Sequence, residues 1–393
     1  MDGTTRLDLL IVTPSFHGAA GGAAVYYRLL ADALLDHGCR VGVVSDAEEG
    51  PYPGAYFGVL PRRCGRAGQG LRGGLAYGWQ NVRYLALPGI VARERPRALL
   101  VHTSFLNFPG IFPCVAGRLR AECRRLGTRL VADARDRMLP RSAGRLLNRF
   151  DAVIACSTNV ARHLEAHGVE RSRVVQIPVI QEKLRPDPEA ADRLLAELAL
   201  ADAPYLFYAG LLKERKGVDL LLEAFADHLR PRWPEGRLVL AGLLKSAHAG
   251  ILRRLRAPGV VHVGPRSRED VLALLSRARL AVCLSPSEGL PRASLEALAL
   301  GRPVLLPPGV PEFEQHCPDF VVASRDPARV AARMLEILRS EAAPRYPIEQ
   351  HEPANLLPRY LDVLGLAGTG RDARRAALPA RFRSHAARKE GSP

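Results

Sequence analysis

Short runs of aliphatic residues recur along this chain, and longer stretches with helical spacing lie between them. Leu9-Leu10-Ile11-Val12 is the first run. Ala23 to Asp36 then repeats apolar residues at helical spacing and stops at Gly38. Arg40–Val44, Ala98–Val101, Arg129–Ala132, Ala152–Ala155 and Val174–Ile177 are further strand candidates. Continuous apolar runs mark strands covered on both faces, and their alternation with helices predicts a parallel sheet between helical layers. A second cycle begins at Tyr205–Ala209. It continues with helix Val218–Leu229, strands Arg237–Ala241 and Val260–Val263, helix Arg268–Ala278 and strand Leu280–Leu284. Helix Pro291–Leu300, strand Pro303–Leu306 and helices Pro327–Leu338 and Asn355–Leu364 complete it.

The expected fold class is therefore α/β, with two doubly wound parallel-sheet, Rossmann-like domains and a cleft between them. Ligands bind such sheets at the carboxyl ends of the strands. The 393 residues suit two domains at roughly 100–200 residues each. We expect a first domain over 1–185 and a second over 200–345. Between them lies the charged, alanine-rich segment Pro186–Pro204, whose composition also suits a helix and which is read as the interdomain region. A C-terminal helix region over 346–367, packing back on the first domain, and a basic, disordered tail over 368–393 complete the expected layout.

Composition narrows the setting. The longest stretch free of Lys, Arg, Asp and Glu, Ala98–Gly117, carries His102, Asn107, Pro109, Gly110 and Pro113, so it reads as a buried strand and a loop, not a membrane span. The N-terminus opens with Asp2, and Leu9–Pro14 is too short for a signal-peptide core. The seven cysteines include no C-x-x-C pair, which argues against a disulfide framework or zinc site and fits a reducing cytosol. The formal charge of +16 is uneven: 15 arginines and no lysine stand between Arg62 and Arg137, against Glu94, Glu122, Asp133 and Asp136. The tail after Gly370 adds more. Such a field attracts an anionic partner, whether a phospholipid surface, a phosphorylated acceptor or nucleic acid; solvated charges on an arginine-rich protein are the other reading.

The most informative stretch runs from Ser285 to Val304. A strand ends at Leu284 and a polar loop follows. Pro291 stands where a helix begins, Gly301 where it ends, and Pro303 just beyond. The unpaired N–H groups of Arg292, Ala293 and Ser294, with the helix dipole, make a site for an anion such as a diphosphate. Glu288 lies just outside this terminus, and Glu296 about one and a half turns inside it. Both suit hydrogen bonds from hydroxyls. As isolated glutamates they also fit a surface loop and a solvated helix face, but the apolar neighbours Leu295, Ala297, Leu298 and Ala299 imply that Glu296 has a partner.

The pattern E-G-x-P-x-x-x-x-E-A-x-A-x-G-x-P-V resembles the signature of glycosyltransferase family 4, a retaining family of the GT-B type, and Glu288 and Glu296 stand at its E-x7-E pair. The resemblance implies that Glu288 contacts the transferred sugar and Glu296 the nucleotide ribose. It also implies that the backbone of Gly289 and Leu290 lies against the donor sugar. Upstream, Ala209–Phe225 resembles the family's G-R-L-x-x-x-K-G segment, with Lys216 at the diphosphate-binding lysine. Leu211 stands where the family has arginine, so Lys213 or Arg215 is left to supply a second cation. Positive charge there stabilises the leaving diphosphate.

In the first half, Thr13–Ala24 follows the first strand, and Gly21-Gly22 lets the backbone approach a ligand. The resemblance sets this loop against the donor phosphate and acceptor, although a plain tight turn also fits. Arg135 stands near the family's sugar-contacting histidine. Asp133, Arg135 and Asp136 read equally as acceptor contacts or as a strand-end ion pair; His102 is a weaker acceptor-side candidate and His17 an incidental one.

The reading is a retaining glycosyltransferase. It moves a sugar from a nucleoside-diphosphate sugar to a saccharide or lipid-linked acceptor in bacterial-type envelope polysaccharide or glycolipid synthesis. No D-x-D occurs, so no metal and no cofactor is expected. The expected location is cytoplasmic and peripheral at the inner face of an anionic membrane. The alternatives are a GT-B nucleotide-sugar epimerase and a nucleic-acid-binding protein. The 6% aromatic content and the lack of a reading motif count against nucleic acid.

Overall fold

The computed structural model describes residues 6–14, 16–17, 22–46, 52–60, 83–103, 112–137, 141–340 and 342–369. The chain forms two compact units. One takes the described residues up to Ile180 and those from Pro353 onward; the other is Gln181–Glu352.

The first unit holds seven parallel strands: β1 (Leu9–Val12), β2 (Val41–Asp46), β3 (Ala55–Leu60), β4 (Ala98–His102), β5 (Arg129–Ala134), β6 (Ala152–Ala155) and β7 (Val174–Gln176). Their order is β3-β2-β1-β4-β5-β6-β7. Every residue of β1 is fully buried, as a strand covered on both faces requires. β3 is absent from the strands expected above. It is an edge strand paired with β2, and Tyr56 and Phe57 are half-buried, so its sequence lacks a core strand's aliphatic run. The Gly22–Asp36 helix follows β1 and buries Tyr26, Tyr27 and Leu30.

The Pro353–Val363 helix joins this unit through polar contacts. The Tyr360 and Tyr26 hydroxyls lie 2.8 Å apart, and Arg129 Nε donates to the Val363 carbonyl at 2.7 Å.

The second unit holds β8 (Tyr205–Ala209), β9 (Arg237–Ala241), β10 (Val260–Gly264), β11 (Leu280–Val282) and β12 (Val304–Leu305), parallel in the order β10-β9-β8-β11-β12. The chain passes from one unit to the other at Ile180–Gln181. Pro186–Pro204 is thus not an interdomain stretch. Within it Pro188–Glu197 is a helix that buries Ala191, Leu194 and Leu195, and Asp187 caps it by accepting from Glu189 N at 3.0 Å. The helix after β8 is α-helical over Val218–Glu223 and then widens into a π turn over Ala224–Leu229.

Candidate active site

The order of the second sheet reverses at β8: β9 and β10 lie to one side, β11 and β12 to the other. Loops leaving β8 and β11 therefore diverge from adjacent strand ends, which in doubly wound sheets is where ligands bind. The β8 loop ends in a 3-10 turn, Glu214–Lys216, and in Gly217, whose φ of 69° is left-handed. A Cβ at Gly217 would overlap the Leu284 carbonyl, so this loop can lie directly on the continuation of β11 because the residue is glycine. Ser285 Oγ donates to the Arg215 carbonyl at 3.4 Å and ties the two loops together.

Lys216 and Glu288 meet at this junction. Lys216 Nζ donates to Glu288 Oε1, with side-chain exposures of 26% and 15%. Lys213 is half-buried beside them; burial, Arg215 and Lys216 push its ammonium below the usual lysine range, and Glu288 opposes that shift. Arg215 is exposed and acts on Lys213, so Lys213, Arg215 and Lys216 form one cationic group on this loop, two of whose members act with Glu288. Gly289 and Leu290 are buried, and Pro291 then opens the Arg292–Ala299 helix with no side-chain cap. Its first turn carries no acidic residue, so its own side chains do not neutralise the positive end of the dipole.

Glu296 lies deeper on that helix and is 5% exposed. Its Oε1 lies 3.5 Å from Arg268 Nη2 and 3.8 Å from Arg292 Nη1. Burial raises its carboxyl above the ordinary glutamate value, and Arg292 and Arg268 pull it down. The structure thus brings Lys216 and Glu288 into contact and holds Glu296 in a separate arginine setting. Arg268 was missing from the sequence-derived site. Arg292, four residues before Glu296, was detectable from helical spacing.

In the first unit, Asp133 is wholly buried and is not available as an acceptor contact. It accepts from the Tyr27 hydroxyl at 2.7 Å and pairs with Arg135 Nε at 2.8 Å. The Arg135 guanidinium stacks 3.4 Å from the centre of the Tyr26 ring and donates to Tyr360 Oη at 3.1 Å. With its side chain 9% exposed, Arg135 is held by protein groups instead of being presented to a sugar. Of the two readings of the Asp133–Asp136 cluster, the strand-end ion pair fits for Asp133 and Arg135. Asp136 is exposed. His102 is buried, its ring 5.7 Å from that of Tyr27. Gly22 opens the first helix; Gly21 lies outside the described residues, as do Arg62, Arg63, Arg66, Arg72 and the tail from Gly370. Among the described residues, no group of three or more His, Cys, Asp or Glu side chains could hold a metal ion.

Known proteins share this architecture. The family model of glycosyl transferases group 1 matches residues 203–340, and that of Glycosyltransferase Family 4 matches residues 20–179. Among solved structures, Anabaena HepE in complex with UDP and glucose aligns over 92% of this chain and 97% of its own, at 17% identity and a TM-score of 0.65. Sucrose-phosphate synthase from Thermosynechococcus elongatus covers 92% and 97%, at 19% identity and a TM-score of 0.66. A glycosyltransferase from Rickettsia africae covers 95% and 100%, at 13% identity and 0.69. No curated protein sequence matches the chain. Two parallel-sheet units on this plan give the chain the GT-B fold, and the family matches make it a glycosyltransferase. Within that class it belongs to family 4, the group 1 glycosyltransferases.

Proposed function

We propose that the chain transfers a sugar from a nucleoside-diphosphate sugar, held by Gln181–Glu352, to an acceptor hydroxyl with retention of configuration. The observation that carries this reading is the Lys216–Glu288 pair at the sheet's reversal point, beside an uncapped helix terminus. Lys216 and Glu288 pair with each other. A bound diphosphate offers Lys216 a stronger anion, and Glu288 then turns to the hydroxyls of the sugar. As the bond from sugar to phosphate breaks, negative charge grows on the diphosphate. Lys216, Lys213 or Arg215, and the N–H groups of Arg292–Ser294 stabilise it there. Glu296 accepts from the nucleoside ribose, and the backbone of Gly289 and Leu290 flanks the sugar. No metal takes part.

The UDP and glucose in the Anabaena structure make uridine diphosphate sugars the first donors to test. Thermal shifts against UDP-, GDP- and ADP-sugars, followed by turnover of the best donor, test the assignment. Donor conversion without any acceptor would identify an epimerase instead.

For the acceptor, the proposal is a saccharide or lipid-linked saccharide of the bacterial envelope, reached at the inner face of an anionic membrane. The Phe112–Leu126 helix supports this. It buries Val115, Ala116, Leu119 and Cys123 and exposes Arg118, Arg124 and Arg125. Such a face suits anionic headgroups. Among the described residues, no helix is long and apolar enough to cross a membrane. Failure to co-sediment with phosphatidylglycerol vesicles at low salt would sink the membrane part of the proposal.

A further inference from the structure

Glu296 is the one buried carboxylate among the described residues of the second unit. Arg292 reaches it from the first turn of its own helix, with a side chain 10% exposed, and its Nη1 also donates to Gln181 Oε1 at 3.4 Å. Arg268, at the start of the Arg268–Arg277 helix, reaches it from a second direction and donates to Glu182 Oε1 at 2.5 Å. Gln181 and Glu182 are the first residues of the unit, and Gln181 N donates at 2.8 Å to the carbonyl of His351, next to the last. Two arginines, each anchored a second time on the segment that opens the unit, thus converge on one buried oxygen.

An ion pair that merely filled a core would give no stability advantage over well-packed apolar residues. A carboxylate that must accept hydroxyls from a ligand has a different requirement, because it must stay ionised in a site that disfavours charge. We propose that Arg268 and Arg292 are positioning residues for donor recognition, holding the Glu296 carboxylate ionised and oriented toward the hydroxyls of the bound nucleoside. This rests on the reading of Glu296 as a donor contact. Burial pushes the Glu296 carboxyl upward and the two arginines counter it, in agreement with the geometry. The other charged neighbour is Glu182, which opposes the arginines. The turn Ile348–His351, packed on the same helix, brings Glu349 and His351, whose Nε2 lies 3.0 Å from Tyr346 Oη. β11 and β12 contribute apolar residues alone.

The test is the pH dependence of nucleoside diphosphate affinity by calorimetry, using whichever of UDP, GDP and ADP binds most tightly. Glu296→Gln sets the baseline for titration of the diphosphate itself. An opposite charge within hydrogen-bonding reach shifts a carboxyl by roughly one to three units. Arg292→Met should therefore weaken binding by about tenfold between pH 8 and pH 6 beyond that baseline, and the wild type by less than about twofold. Arg292→Lys should restore the flat profile, and the Arg292→Met, Glu296→Gln double variant should follow the baseline. Arg268→Met, on a different helix, repeats the measurement should Arg292→Met fail to fold. Wild-type affinity in Glu296→Gln refutes the donor-contact reading itself. Weakened binding in Glu296→Gln with flat profiles for both arginine variants overturns this inference alone.

Discussion

Methionine at position 216 keeps the length of the lysine stem and removes its charge. The structure sets the size of the effect. Lys216 Nζ sits against Glu288 with both side chains mostly buried, so the site is shielded from bulk water but not sealed from it. Unit charges about 4 Å apart at an effective dielectric near 20 interact by about 4 kcal/mol. Loss of one donor aimed at developing negative charge elsewhere costs about 3–4 kcal/mol, or 10²–10³ in kcat. The two estimates converge on a kcat about 10²–10³ lower for Lys216→Met. The folding cost is smaller, about 1–3 kcal/mol for leaving a partly buried carboxylate short of one partner, or about 2–12 °C in Tm. Release of nucleoside diphosphate in a coupled assay reads the rate, and a thermal melt reads the fold. A folded Lys216→Met enzyme with kcat within about fivefold of wild type refutes the role assigned to this lysine.

Glu288→Gln should act in the opposite sense on binding. It slows turnover by about 10²-fold yet tightens diphosphate affinity by about two- to fivefold, because Lys216 no longer has a competing partner; calorimetry with the free diphosphate checks this. Gly217→Ala places an L-residue in the left-handed region, at roughly 1–2 kcal/mol, and adds a clash with Leu284, so Tm should fall by about 5 °C or more along with activity. Asp133→Asn leaves the buried Arg135 without its counter-ion and should destabilise by about 3–5 kcal/mol in urea titrations, against about 1–2 kcal/mol for Tyr360→Phe. Dialysis against EDTA should leave turnover unchanged.

The second sheet was more legible than the first, for a physical reason. Tyr205–Ala209 and Arg237–Ala241 are strands with the boundaries read from sequence, because each is an apolar run followed by a strand-end glycine. The Pro291–Gly301 punctuation placed its helix to within a residue at either end. Edge strand β3 escaped and the Pro188–Glu197 helix took second place to a linker, since half-buried or charged segments are decided by what they pack on. Glu288 and Lys216 were individually visible, but their contact depends on strand order, which local patterns do not encode. The setting of Glu296 joins Arg292, which helical spacing places beside it, to residues 181, 182 and 268, which no local pattern connects to that helix. Asp133 and Arg135 show the converse: a strand-end cluster that reads equally as ligand contact or ion pair is decided only when Tyr26, Tyr27 and Tyr360 are placed around it.

The Pro353–Val363 helix has a consequence for biosynthesis. Tyr360 supplies the hydroxyl that Tyr26 and Arg135 meet, yet all of Gln181–Glu352 separates it in sequence from the rest of its unit. A ribosome adding about 5–20 residues per second needs on the order of ten seconds or more to make that intervening length. For that interval the nascent first unit carries a buried-to-be guanidinium with one partner still unsynthesised, so its final closure must wait until the whole second unit has been made.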